Sequence, residues 1–218
     1  KALNHQAIRL VKRYLVLCLG LMIMAFGVAF SIKAGLGTSP ISSVPYVVSL
    51  FSPLTVGTAT ICMHCVFILL QILLLRRKYD PIQLMQLPVA LLFGYLTDFA
   101  VWCIKGISCS SYLDQWALCA IGILLVGIGV SLEVTAGVVV LAGEGFVLAV
   151  CRVFPIKFGN MKIAFDVSLV IIGCILSFIF LHGLYGVREG TIAAAILVGT
   201  TARQINKLLA SPAEKHLN

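Results

Sequence analysis

The chain alternates between long apolar blocks and short polar interruptions. Residues 14–32, 59–75, 84–104, 116–132, 163–181 and 191–202 are almost free of charge. Most approach the ~20 residues a helix needs to cross about 30 Å of hydrocarbon. The last block is short and is expected to extend to about residue 207. None alternates in polarity as a membrane-spanning strand would. The pattern predicts an all-α, polytopic membrane protein, with residues 1–218 forming a single transmembrane domain. The first block reads as a span, being too long for the core of a cleavable signal peptide and lacking a small-residue cleavage site.

Two shorter apolar blocks lie between the long ones. Residues 37–53 carry Pro40, Pro45 and Pro53, and residues 137–154 carry Gly143, Glu144 and Gly145. They hold matching places in a faint internal repeat with halves at about 13–105 and 114–209. Gly27, Ser31, Lys33 and Gly37 recur as Gly127, Ser131, Glu133 and Gly137 at an offset of 100. Gly57, Thr58, Thr60 and His64 recur as Gly159, Asn160, Lys162 and Asp166 at 102. Gln86, Gly94 and Asp98 recur as Thr191, Gly199 and Arg203 at 105. Short, Pro- or Gly-broken segments at corresponding places in two halves point to a transporter binding site.

Basic residues choose between two layouts. If both short blocks enter the membrane and turn back, six spans remain. Thirteen Lys and Arg, among them Lys1, Arg76, Arg77, Lys78, Arg152, Lys162, Arg203 and Lys215, then share one side, and Lys33, Lys105 and Arg188 the other. If both cross fully, eight spans result and the split weakens to 11 against 5. The positive-inside rule favours the first layout, with both termini cytoplasmic. Three spans per half also make the second half run opposite to the first. The expected fold is six transmembrane helices plus two short re-entrant half-helices in an inverted repeat, the alternative being eight spans in parallel repeat.

Composition agrees with the bilayer. Apolar residues make up 61% of the chain and charged residues 11%, at a mean hydropathy of +1.08. A net charge of +8 could suggest nucleic acid. Its carriers, however, sit at the ends of apolar blocks and so read as topology signals facing lipid headgroups. The eight cysteines lie mostly inside apolar blocks as small hydrophobes. Cys62 and Cys65 flank His64, but that spacing within a lipid-embedded helix is not read as a metal site. Cys103 and Cys109 flank a loop and would pair only in an oxidising compartment.

Few residues are left to carry chemistry. In GLGTSP, residues 35–40, Thr38 or Ser39 suits an N-cap and Pro40 the first helical turn. Such a helix start, aimed inward with Gly37, Thr38 and Ser39, would offer amides and a positive dipole end to an anion. Glu144 lies in an apolar segment with no basic neighbour within seven residues. A carboxylate there is costly unless paired, hydrated or protonated. Asp166 and its repeat-mate His64 lie about two turns into their spans, where they suit a proton relay or an ion pair. Lys162, one turn before Asp166, offers a local salt bridge instead. Asn160, Arg188, Glu189 and Thr191 are further candidates, with Arg188 able to clamp a carboxylate or phosphate. Asp98 and Arg203 read either as gates or as interface anchors. No Walker loop, GxSxG or HExxH is present, so no enzyme is expected.

These pieces resemble the YczE/YyaS/YitT-type group of bacterial integral membrane proteins. The matching residues are Gly35-Leu36-Gly37-Thr38-Ser39-Pro40, Gly57-Thr58, Gly143-Glu144-Gly145, Phe158-Gly159-Asn160 with Lys162 and Asp166, and Arg188-Glu189-Gly190-Thr191. Ile41 follows Ser39-Pro40 where the family pattern carries Trp. The resemblance implies a bacterial cytoplasmic (inner) membrane protein with a transporter or permease role.

The expected function is a small secondary transporter for a polar or anionic metabolite, with Glu144, Asp166 and His64 coupling movement to protons. Two alternatives stand beside it. One is a non-transporting membrane protein that binds and regulates a partner, and the other is a substrate-binding subunit of a larger import complex. Expected partners are a small-molecule substrate and membrane lipids, with a homodimer left open and no nucleic acid. No cofactor or metal is expected.

Overall fold

A computed structural model describes the backbone of residues 2–217 and the side chains of residues 6–208. Lys1, and the side chain of Lys215, lie outside these. Eight helices account for most of the chain, and no strand forms among the described residues. They are α1 (Ala2–Ala34), α2 (Pro40–Phe51), α3 (Val56–Leu75), α4 (Gln86–Cys103), α5 (Tyr112–Ala136), α6 (Ala142–Val153), α7 (Phe158–Leu181) and α8 (Glu189–Leu217). Two 3-10 turns, Arg76–Lys78 and Pro81–Met85, join α3 to α4. Five helical stretches are long and apolar enough to cross a membrane: Gln6–Ala34, Val56–Lys78, Pro81–Cys103, Tyr112–Ala136 and Phe158–Leu181. In α8 the apolar run is short and gives way to Arg203 and Lys207, which keeps it out of that group.

α2 and α6 have 12 residues each. At 1.5 Å per residue they are about 18 Å long, too short to cross the hydrocarbon. Local chemistry sets their limits. Pro40 opens α2, where a missing N–H costs nothing, behind Ser39 in extended conformation. A left-handed Gly137 (φ +59°) ends α5, and an extended stretch to Leu141 leads into α6.

Four boundaries of the first three helices recur at one spacing. Ala34, Pro40, Phe51 and Val56 return as Ala136, Ala142, Val153 and Phe158, each 102 residues on. The helix boundaries therefore favour a spacing of 102 over the offset of 100 expected for α1 and α5, which sets Ser31, rather than Lys33, against Glu133. The reason is packing. α1 and α5 run antiparallel along a glycine seam, with Gly20 against Gly129 and Gly27 against Gly122. A shift of 102 turns Gly20 and Gly27 into Gly122 and Gly129, and so maps the seam onto itself.

Other contacts follow the same rule: α1 packs on α4 as α5 packs on α8, and α2 on α7 as α6 on α3. The rule fails once. α3 and α4 pack closely, whereas α7 and α8 touch at most in passing. Many basic residues sort to the two ends of the bundle. Lys33 donates to the Lys105 carbonyl (3.1 Å) and Arg188 to the Gly35 carbonyl (3.0 Å) at one end. Arg76, Arg77, Lys78 and Arg152 line a common recess at the other.

A Cβ on Gly27 would stand 2.7 Å from the Val126 amide nitrogen and 2.8 Å from the Gly122 carbonyl oxygen. Gly27→Ala is expected to cost about 1–3 kcal/mol, read as a lower unfolding midpoint by helical circular dichroism in detergent. Gly199→Ala, with no heavy atom within 4 Å of the added carbon, should leave that midpoint unchanged or higher.

Candidate functional site

The starts of α2 and α6 meet at the centre of the bundle, where Ile41 packs against Gly143. Two cavities flank this contact, and both are bordered by Met24, Ser39, Ile41, Val126 and Leu141. The smaller, about 40 Å³, lies towards α3 and α4, and the larger, about 220 Å³, towards α7 and α8. They are counterparts. Met24, Val28, Ser39, Ser42, Thr60 and His64 line the first, and 102 residues on, Val126, Val130, Leu141, Glu144, Lys162 and Asp166 line the second.

Their chemistry differs sharply. The small cavity holds hydroxyls and one imidazole. His64 is 1% exposed, wedged between the edges of Phe67 and Phe93, and its Nδ1 has no hydrogen-bond partner. The large cavity collects Glu133, Glu144, Lys162 and Asp166. Lys162 Nζ stands 2.6 Å from Asp166 Oδ1 and 5.6 Å from the centre of the Phe165 ring. Glu133, near the end of α5, is 1% exposed, and its Oε1 accepts the Leu141 amide at 2.7 Å. One carboxylate oxygen thus holds the segment that leads into α6. Glu144 sits in the first turn of α6, where the helix dipole favours a negative charge.

The predicted residues fall into three groups. Glu144, Asp166 and Ser39 meet at the large cavity, and His64 lies across Ser39 in the small one. Gly37, Thr38 and Arg188 border a different cavity, of about 300 Å³, at the Lys33 end. There Thr38 donates its amide to the Gly186 carbonyl (3.0 Å), and Gly190 donates to Leu36 (2.8 Å). Arg188 is spent on the Gly35 carbonyl and on Glu189, while buried Thr191 accepts the Arg188 amide. Gly37, at φ +95°, has the side chain of Thr191 and the backbone of Arg188 where a Cβ would go. These residues build a backbone clasp in which the half-exposed Arg188 guanidinium is shared between the Gly35 carbonyl and Glu189. Asn160 is exposed at the start of α7 and borders neither central cavity.

At the opposite end a cavity of about 280 Å³ is lined by Gln83, Gln86, Gly137 and Arg152. Beside it Gln71, fully buried, donates to Gln86 Oε1 (3.0 Å) and to the Ala142 carbonyl (3.1 Å). Gly145 leaves room for this amide pair. Glu133, Lys162 and Gln71 were not anticipated as site residues. The available signal for Gln71 was an amide in an otherwise apolar block, and for Glu133 a lone carboxylate ahead of a glycine and an apolar run.

Asp98 serves as a cap rather than a gate. Its Oδ1 accepts the Gly57 amide (2.8 Å) and its Oδ2 the Thr55 hydroxyl (2.6 Å), closing the start of α3. Arg203 is exposed on α8. Cys103 and Cys109 are free thiols, as are the other six cysteines. Among the described residues no group of three or more His, Cys, Asp or Glu could hold a metal ion.

Long apolar helices with apolar outer faces, joined by short polar turns, mark a polytopic helical membrane protein. Residues 11–207 match the family described as "Family of unknown function (DUF6198)", and the chain belongs to that family. It is also similar to "Uncharacterized protein YyaS" of Bacillus subtilis (strain 168), with 29% identity over 121 residues, or 55% of this chain. The matched stretch spans 59% of the length of that relative. No solved structure matches.

Asp98→Ala is expected to cost about 1–2 kcal/mol through the lost cap of α3, and Asp98→Asn less, since an amide oxygen still accepts. Unfolding midpoints of the two variants in one detergent check the order.

Proposed function

We propose that the protein is a small secondary transporter of the bacterial cytoplasmic membrane, moving a polar small molecule with protons. Six helices cross the bilayer, α8 among them, while α2 and α6 enter it and turn back. The halves form an inverted repeat, and both termini lie in the cytoplasm. One observation carries the reading: two helices too short to span begin side by side at a cavity holding Glu133, Glu144, Lys162 and Asp166. Broken helices meeting at a shared polar pocket are how transporters place a ligand inside hydrocarbon. Intramembrane carboxylates are costly enough to imply use.

The cavities supply the route. Gly35, Gly37 and Thr38 border the end cavity beside Arg188, while Ser39, the next residue, borders the centre. Gly137 to Val140 border the opposite end cavity, while Leu141 borders the centre. Each extended stretch therefore stands between one mouth and the central site, as a gate must. Opening the first would undo the Thr38–Gly186 and Arg188–Gly35 bonds. Opening the second would undo the Glu133–Leu141 bond. Because that carboxylate also faces the cavity, its protonation or pairing bears directly on the second gate. This is the coupling we assign, with Glu144 and Asp166 as the carriers nearest the ligand.

The layout is testable by labelling. In a cysteine-free background, Ser52→Cys should react with an impermeant maleimide on intact cells and Asp80→Cys only after lysis. The reverse result would overturn this layout. Function is tested in vesicles loaded with a pH dye and given an inward proton gradient. At least one small polar solute should move protons with it, and Glu144→Gln should abolish that movement. Solute uptake unaltered by the substitution would remove the coupling assignment, and a partner-binding role would then take its place.

A further inference from the structure

We infer that the large central cavity binds a small organic cation whose amine or guanidinium group lies between Glu133 and Glu144. This assignment deepens the transport reading by naming a substrate class, and rests on that reading for any movement of the bound cation across the membrane.

The charges facing the cavity do not balance. Three carboxylates line it, from Glu133, Glu144 and Asp166, against the single ammonium of Lys162. That ammonium is already engaged by Asp166 at 2.6 Å. Glu133 and Glu144 are left with no basic partner among the described residues. Glu133 is the more telling. Glu133 is 1% exposed and lines the cavity; its Oε1 accepts the Leu141 amide, and Oε2 has no protein donor among the described residues. A buried carboxylate without a counter-charge is strongly destabilising. A ligand cation supplies what the protein withholds.

The twin cavity acts as an internal comparison. At the position equivalent to Glu144 stands Ser42, lining a space of about 40 Å³ against 220 Å³, while Ser31, equivalent to Glu133, lies outside it and borders the cavity at the Lys33 end. Acidic side chains occur only on the side with room for a ligand.

The lining also says which cation fits. The acidic residues do not converge on one point as metal ligands would. They border a volume equal to about seven waters at ~30 Å³ each. A planar cation with several N–H donors can reach two separated carboxylates, through short charge-assisted bonds. Met24, Val126, Val130 and Ala194 leave the rest of the wall apolar, suited to a short alkyl portion. Arg188, the anion clamp expected from sequence, is held at one end of the bundle by Gly35 and Glu189.

Methylguanidinium chloride is the probe, since it stays charged at any working pH and cannot leak across membranes as a free base. Titrated calorimetrically into the purified full-length chain in detergent, it should bind saturably, with sodium chloride as the ionic-strength blank. Sodium acetate should give no binding heat. Glu133→Gln and Glu144→Gln should each weaken binding about tenfold or more, with helical circular dichroism confirming the fold of each variant. Asp80→Asn, remote from the cavity, should bind as the parent does. Absence of saturable binding, binding undiminished in both folded glutamine variants, or binding of acetate in place of the cation would each overturn the proposal. Cation binding without proton-linked solute movement in vesicles defeats the transport reading and leaves this one standing. Proton-linked movement of a solute without cation binding does the reverse.

Discussion

Backbone approaching backbone along α1 and α5 is the constraint on which the rest of the structure depends. Between apolar helices in lipid there is no hydrophobic gain from association, so close packing and small residues must hold them. Gly20, Gly27, Gly122 and Gly129 let the two longest apolar helices meet so closely that a Cβ on any of them would stand within 3.0 Å of an opposing carbonyl oxygen. The seam also fixes the register of everything attached to it. α4 docks on α1 and α8 on α5, and the short helices reach across to the opposite half, α2 to α7 and α6 to α3. Their starts are carried to the centre because the helices before them end at Ala34 and Ala136 and the chain must fold back.

Much of this arrangement was legible along the chain, for physical reasons. Charge-free blocks mark long helices because lipid tolerates little else, and Pro40 and Gly137 mark where helices begin and end for reasons internal to one turn. The short helices were legible at 37–53 and 137–154 and lie at 40–51 and 142–153. Glu144 and Asp166 stood out because a carboxylate in an apolar run is costly. The register of α1 against α5 was not legible. Gly127 and Gly129 lie two residues apart, and either can be set beneath Gly27. Only the antiparallel contact between the helices decides for Gly129. That error of two hid Glu133, which looked like a helix-end charge opposite Lys33 and is instead buried under the approach to α6. Burial of this kind depends on a partner many residues away and leaves no local mark. Arg188, chemically suited to an anion, donates instead to the Gly35 carbonyl and to Glu189, contacts that no local pattern announces.

The two halves illustrate how near-symmetry serves chemistry. Equivalent backbones give equivalent cavities, yet one is nearly filled around a desolvated His64 and the other is open and acidic. A carboxylate introduced into the filled cavity would have no room for a counter-ion. The Ser42 hydroxyl that lines it is satisfied locally by the Ser39 hydroxyl.

The weak contact between α7 and α8 has its own consequence. Where α3 and α4 close the small chamber sideways, the large one lacks the corresponding wall. Lys162 and Asp166 of α7 line that chamber together with Val198 and Gly199 of α8, and the same two helices carry exposed Ile163, Val167, Ile192 and Ile196. Whatever surrounds the helices must complete the enclosure, and in a bilayer that is acyl chain. The lipid is then a component of the chamber, and tail length and saturation become variables of its volume and dryness.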